Sequence, residues 1–247
     1  MIKLQNVVKQ YPTGNIALDD VSFTIDKGEF AFLVGPSGSG KTTLFRLLIR
    51  DTLPNSGSIH IGDWDLVNLP HKRIHHLRKN IGMVFQDLKL LRDRTIYENI
   101  LFPLEVGNME TKEAKARVDS IIERVGIADH IYKFPVQLSG GELQRAAIAR
   151  ALAFSPEIIL ADEPTGNLDN ATAWEIIKLL QDINDEGTTI LMATHNADFI
   201  NSLKKRTLVL EKGKIRIIGD NPKASKKQQE EDAVSLEKAI EEATKNK

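Results

Sequence analysis

Phe30-Ala31-Phe32-Leu33-Val34-Gly35-Pro36-Ser37-Gly38-Ser39-Gly40-Lys41-Thr42-Thr43-Leu44-Phe45-Arg46-Leu47-Leu48-Ile49-Arg50 is the stretch on which the fold turns. Gly35, Gly40, Lys41 and Thr42 occupy the fixed positions of G-x-x-x-x-G-K-[ST]. The apolar run before the loop has strand character, and the apolar spacing after it is helical. Strand, glycine loop and helix together are the context that this motif requires. Glycines let the backbone turn tightly and approach an oxyanion, so that successive N–H groups and the positive end of the helix face phosphates. Lys41 is then expected to reach the β- and γ-phosphates, and the Thr42 hydroxyl to coordinate Mg²⁺.

Composition narrows the alternatives. The 247 residues are 41% hydrophobic and 27% charged with a net charge of −1, an ordinary globular balance that offers no bulk attraction to nucleic acid. The chain is long enough for one large core with a small inserted subdomain. It has no cysteine, which removes disulfides, thiolate metal sites and cysteine nucleophiles together, and which suits a reducing cytoplasm. No apolar run approaches bilayer length, and Met1-Ile2-Lys3-Leu4-Gln5 has no signal-peptide core, so any membrane role is expected to run through a partner.

Ahead of the loop, Ile2-Lys3-Leu4, Val7 to Tyr11 and Val21 to Ile25 read as short strands of an antiparallel sheet with one covered face. Tyr11 ends one of them, where an aromatic ring near a nucleotide site can stack on adenine. Ser58 to Ile61 is a further strand. His71 and His75 have the spacing of a metal pair on one helix face, but no acidic third ligand of the right pattern is near, and a solvated basic helix over His71 to Lys79 is the expected reading. Ile81 to Val84 is an apolar strand running on to the amide Gln86, a candidate for an ion or water beside phosphates. Residues 95 to 155 are helix-rich, with Ala114, Val118, Ile121, Ile122 and Val125 forming an amphipathic stripe.

Leu138-Ser139-Gly140-Gly141-Glu142 opens another helix. Ser139 and Glu142 have capping-box spacing. Two glycines are more than a cap needs, and they expose N–H groups at a positive helix end, which makes a second anion site. Two such helix starts in one chain make sense when the second serves a neighbour's nucleotide. Ile158 to Ala161 reads as a buried parallel strand delivering Asp162 and Glu163 to the carboxyl edge of a sheet, where ligands bind. Asp162 is the candidate Mg²⁺ holder and Glu163 the group that orients or deprotonates water. Thr188 to Thr194 brings His195 to the same kind of edge, as a γ-phosphate contact. Thr207 to Leu210 and Lys214 to Ile218 form a hairpin around Lys212-Gly213, and from Asn221 the composition shifts to Lys, Gln, Glu and Ala.

In order and spacing these segments resemble the nucleotide-binding subunits of the ATP-binding cassette (ABC) transporter family, over residues 1 to 220. The resemblance implies an α/β fold: a P-loop NTPase (RecA-like) core with an antiparallel β subdomain and an inserted α-helical subdomain at about 87–155. It leaves 221–247 as a charged tail with a marginal helix over 226–246. It also implies an ATP hydrolase that uses ATP and Mg²⁺ and closes as a head-to-tail homodimer, two nucleotides between two copies. On this analogy Gly35, Pro36, Ser37, Gly38, Ser39, Gly40, Lys41, Thr42 and Thr43 cradle the phosphates, while Ser139 and Gly141 come from the opposite copy. Tyr11 stacks on adenine, Gln86 attends to Mg²⁺ and the attacking water, Glu163 is the base, His195 steadies the γ-phosphate, and Asp169 communicates across the dimer. Glu142 and Leu143 depart from the commoner residues of the signature.

Within the family, Ala161 to Asp169 resembles the branch of lipoprotein-releasing, macrolide-export and cell-division ATPases. Val84-Phe85-Gln86-Asp87-Leu88-Lys89-Leu90-Leu91-Arg92-Asp93-Arg94-Thr95-Ile96-Tyr97-Glu98-Asn99-Ile100 is especially similar to the cell-division members. The implied setting is the cytoplasmic face of the cell membrane, bound to an FtsX-like integral membrane protein and controlling peptidoglycan hydrolases, with no nucleic-acid partner. An exporter of lipoproteins or macrolides is the alternative. Asp87 to Phe102 is the expected surface for the partner's coupling helix. ATPases of this family that act on DNA or ribosomes usually carry a long coiled-coil insertion or a second cassette, and neither is present.

Overall fold

The computed structural model describes residues 1–218. The chain begins with β1 (Ile2–Gln10), β2 (Ile16–Ile25), β3 (Phe30–Val34), α1 (Lys41–Leu48), β4 (Ser56–Ile61), β5 (Trp64–Asp65) and α2 (Ile74–Lys79). It continues through β6 (Ile81–Val84), α3 (Ile96–Val106), α4 (Thr111–Val125), α5 (Gly140–Ala151), β7 (Ile158–Asp162) and α6 (Asn170–Asp185). It closes with β8 (Thr189–Ala193), α7 (Ala197–Leu203), β9 (Arg206–Glu211) and β10 (Lys214–Ile218). The tail expected over 221–247 lies outside the described residues.

Two compact units divide the chain, one of Met1–Leu77 with the residues from Thr189 onward, the other of Arg78–Thr188. In the first, an antiparallel sheet has the order β2-β1-β4-β5. The alternation of Val21 to Ile25 produced the expected covered face, with Val21, Phe23 and Ile25 buried. Ile2 to Leu4 and Val7 to Tyr11, read separately above, join in one strand that ends at Gln10, so Tyr11 lies one residue past it instead of ending it. Asn6 at φ 49 absorbs a register shift between Leu4 and Val7, so the strand bends without ending. β2 also begins earlier than its alternation suggested, at Ile16.

The second sheet region of this unit is parallel. β3 lies between β8 and β9, and β10 returns antiparallel on β9 through the expected Lys212-Gly213 turn. Every residue of β3 and β8 is buried, which is why both read as unbroken apolar runs rather than alternations.

In the second unit β6 and β7 pair in parallel. α5 packs on β6, and α3, α4 and α5 pack on one another. The stripe expected on α4 is the buried face: Ala114, Val118, Ile121, Ile122 and Val125. Gly126 at φ 70 stops the helix in a left-handed turn. α6, to which the sequence reading assigns no element, follows the cap residue Asp169.

Candidate functional site

The phosphate loop occupies the turn between β3 and α1. Gly40 caps the helix at φ 111 and ψ 4, a conformation closed to residues with a Cβ, and a Cβ there would stand 2.4 Å from the Ala17 carbonyl oxygen. At Gly35 a Cβ would lie 2.2 Å from the Leu210 carbonyl oxygen. Lys41 Nζ donates to the carbonyls of Gly35 at 2.6 Å and Pro36 at 3.1 Å, folding its charge back over the loop. Ser37, Gly38 and Thr42 are exposed, while Ser39 is buried with no hydrogen-bond partner for its Oγ among the described residues. Tyr11 is half-buried; its hydroxyl is 3.2 Å from Thr43 Oγ1, and Lys9 Nζ stands 5.3 Å from its ring centroid.

Parallel register brings His195 to the same edge. Leu33 pairs with Ala193, and Thr194 N donates to the Leu33 carbonyl at 3.2 Å, so Gly35 and His195 each lie two residues beyond the paired positions. Thr194 Oγ1 accepts from Asn196 N at 3.1 Å, turning the chain into α7.

The other unit repeats this arrangement with acidic and amide groups. Val84 pairs with Ala161, which sets Gln86 and Glu163 two residues beyond adjacent parallel strands. Asp162 is buried at the end of β7, whereas Gln86 is exposed. Glu163 has φ 47, the left-handed region that a residue with a long side chain seldom adopts. Its carbonyl accepts from Gly166 N at 3.1 Å, which locks the turn that presents the side chain.

The expected capping box at α5 is present. Ser139 N and Oγ each donate to Glu142 Oε2 at 2.7 Å, and Glu142 N returns a bond to Ser139 Oγ. The Ser139 hydroxyl, assisted by the Ser139 N–H, holds the Glu142 carboxyl below its ordinary range, and His130 Nε2 sits 2.7 Å from the other oxygen. Ser139 is exposed, open to whatever approaches this helix start. Gly141 has a packing reason of its own, since a Cβ would meet the Thr172 methyl at 2.5 Å. Asp169 caps α6 by accepting from Thr172 N at 3.0 Å and Thr172 Oγ1 at 2.6 Å, and the latter bond chiefly lowers its pKa.

Taken unit by unit, the donors fit the phosphates of a nucleoside triphosphate in the first and a divalent cation in the second. A buried orphan hydroxyl, two loop glycines with no room for a Cβ and a folded lysine suit an anion, and a buried carboxylate at a strand end suits a hard cation. Sequence reading missed Asn99 and Arg150. Asn99 is fully buried on the stripe of Ile96, Ile100 and Leu104, and a polar residue at that spacing was the available signal. Among the described residues no helix is long and apolar enough to cross a membrane.

A profile of the family described as "ABC transporter" matches residues 18–166, and the chain belongs to that family. It is an ABC-type ATPase with the fold of the ABC cassettes. It is 45% identical over 223 residues to the cell division ATP-binding protein FtsE of Streptococcus pneumoniae serotype 2, covering 90% of this chain and 96% of that one. It is 46% identical over 213 residues to FtsE of Bacillus subtilis, covering 86% and 93%. With FtsE of Escherichia coli K12 the identity is 43% over 213 residues, covering 86% and 96%. The solved dimeric structure of the ATP-binding cassette MJ0796, in a post-hydrolysis state bound to ADP and Pi, superposes with a TM-score of 0.79 at 36% identity, covering 88% of this chain and 97% of that one.

Proposed function

We propose that this protein is the ATP-binding and hydrolysing subunit of a membrane complex acting in cell division; the relatives bear the name cell division ATP-binding protein FtsE. The observation that carries the reading is 43–46% identity to FtsE over 86–90% of the chain, in bacteria as different as Bacillus subtilis and Escherichia coli. The division of labour is ABC-type. Gly35 to Thr43 bind the phosphates, Tyr11 receives the adenine, Lys41 neutralises β- and γ-oxygens, and His195 steadies the γ-phosphate. Thr42, Asp162 and Gln86 would hold Mg²⁺, which would supply positive charge to neutralise the phosphates. Glu163 takes a proton from the water that attacks the γ-phosphorus, the β–γ bridging bond breaks, and ADP and phosphate leave.

Two copies close head to tail, Ser139 and Gly141 of one over the nucleotide of the other, with Asp169 at the seam. The exposed position of Ser139 supports this, as do relatives solved as dimers. The membrane partner is an FtsX-like integral protein, met at the cytoplasmic face, through which ATP-driven motion controls peptidoglycan hydrolases. Asp87 to Phe102 forms its docking surface, together with the exposed Val106, Tyr132, Phe134 and Val136. Tyr97 and Tyr132 stack there at 6.4 Å. Co-purification from membranes tests the reading: an FtsX-like partner supports it, and recovery of a lipoprotein-releasing or macrolide permease in its place overturns the division role.

A further inference from the structure

Gln86 stands at the corner of a turn held by its own bonds and by a group from a distant helix. Leu88 N donates to the Phe85 carbonyl at 2.9 Å and Lys89 N to the Asp87 carbonyl at 2.6 Å. These two residues are both left-handed without being glycine, Leu88 at φ 59 and Lys89 at φ 50. Such conformations persist when surrounding groups over-determine them. The group that does so here comes from the far end of the signature helix. Arg150 donates from one guanidinium nitrogen to the Lys89 carbonyl at 2.5 Å and from the other to the Leu88 carbonyl at 2.6 Å.

A guanidinium donates to two carbonyls from two nitrogens fixed in one planar fork, which a single ammonium cannot reproduce. The loop is held again a few residues on. Asn99 accepts from Leu91 N at 2.7 Å and donates to the carbonyls of Leu91, Arg94 and Thr95. Gln86 lies two residues before the first fixing, at the exposed corner that the Leu88 N–H to Phe85 carbonyl bond closes, beside Asp87, which pairs with Lys89.

The geometry points to Arg150 as a positioning residue for Gln86. By clamping Leu88 and Lys89 it sets the corner from which the Gln86 amide reaches the reacting centre, and it ties that corner to α5, the helix that Ser139 opens. This rests on the proposed role of Gln86 in ATP hydrolysis. A structural arginine at the same place would affect folding, whereas a positioning one acts through Gln86.

A double-mutant cycle in the full chain separates the two, using Arg150→Ala, Gln86→Ala and the pair, with ATP affinity and turnover measured for each and urea unfolding as a control. Arg150→Ala should lower kcat at least tenfold, leave ATP affinity within about threefold and add no further loss in the Gln86→Ala background. Arg150→Lys should stay low, and millimolar guanidinium ion should restore part of the Arg150→Ala turnover. Additive losses, or turnover unchanged in Arg150→Ala, would overturn the assignment. If the wild-type chain itself binds ATP without splitting it, the ATPase reading fails, and the clamp is still judged by amide hydrogen exchange at Leu88 and Lys89. Faster exchange in Arg150→Ala with α5 unaffected supports the clamp, and unchanged exchange removes it.

Discussion

Lys41 Nζ donates to the Gly35 carbonyl at 2.6 Å, so the cation that the nucleotide needs also ties the two ends of the loop together. Lys41→Ala therefore removes both a charge and a brace. We expect ATP affinity to fall by at least tenfold, about 1.4 kcal/mol or more. Equilibrium titration with a fluorescent ATP analogue measures it, and wild-type affinity in the variant would be evidence against the phosphate cradle.

The phosphate-loop Gly40 and Gly62 of the β4–β5 turn differ in how replaceable they are. Gly40→Ala places a methyl 2.4 Å from the Ala17 carbonyl oxygen at φ 111, so strain and overpacking add to about 2–4 kcal/mol of lost stability. Gly62→Ala, at φ 53 with open space around its Cβ, should cost about 1 kcal/mol. Urea unfolding midpoints of the two variants test the ordering, and equal shifts would contradict it.

Glu163→Gln keeps the shape of the turn and removes the base. Turnover should fall by about 10²–10⁴ with ATP still bound, and the ATP-loaded variant should migrate as a dimer in size-exclusion chromatography. Unchanged turnover would exclude Glu163 from that role.

Acid should loosen the helix starts. Thr95, Ser139 and Thr172 lower the carboxyl pKa values of Glu98, Glu142 and Asp169 respectively, each mainly through a hydrogen bond to the carboxylate. The folded state thus binds fewer protons than the unfolded chain in the window between the two values. The contribution is complete above ordinary carboxylate pKa values of about 4 and disappears as pH falls through the depressed ones. Glu142→Gln retains an acceptor for the capping box but cannot titrate. Its thermal midpoint should decline less steeply than that of the wild type between about pH 5 and pH 3. Identical slopes would show that the Ser139 cap does not titrate.

What was legible in the chain was local. The glycine loop, the α4 stripe and the Ser139/Glu142 box are patterns spanning a few residues, and each determines its own geometry. Hidden were partners far apart in sequence. Arg150 reads as a charge complementing a helix C-terminus, and only the fold brings it to carbonyls more than sixty positions earlier. The Tyr11 hydroxyl and Thr43 are joined in the same way. Asp169 was assigned to communication across a dimer by resemblance, while its cap on α6 went unseen because a threonine three positions on is not the usual glutamate or glutamine. The left-handed backbone of Glu163 has no signature in composition at all.

That backbone also shapes which amino acids position 163 can accept. Glycine, asparagine and aspartate tolerate φ 47 best, and a long acid adopts it less readily. A saturation library at this codon screened for soluble, folded protein should therefore enrich glycine, asparagine and aspartate, whereas one selected for turnover should return glutamate. The glutamate is kept against the preference of its own main chain, and a cell that no longer needed the reaction would be free to drift away from it.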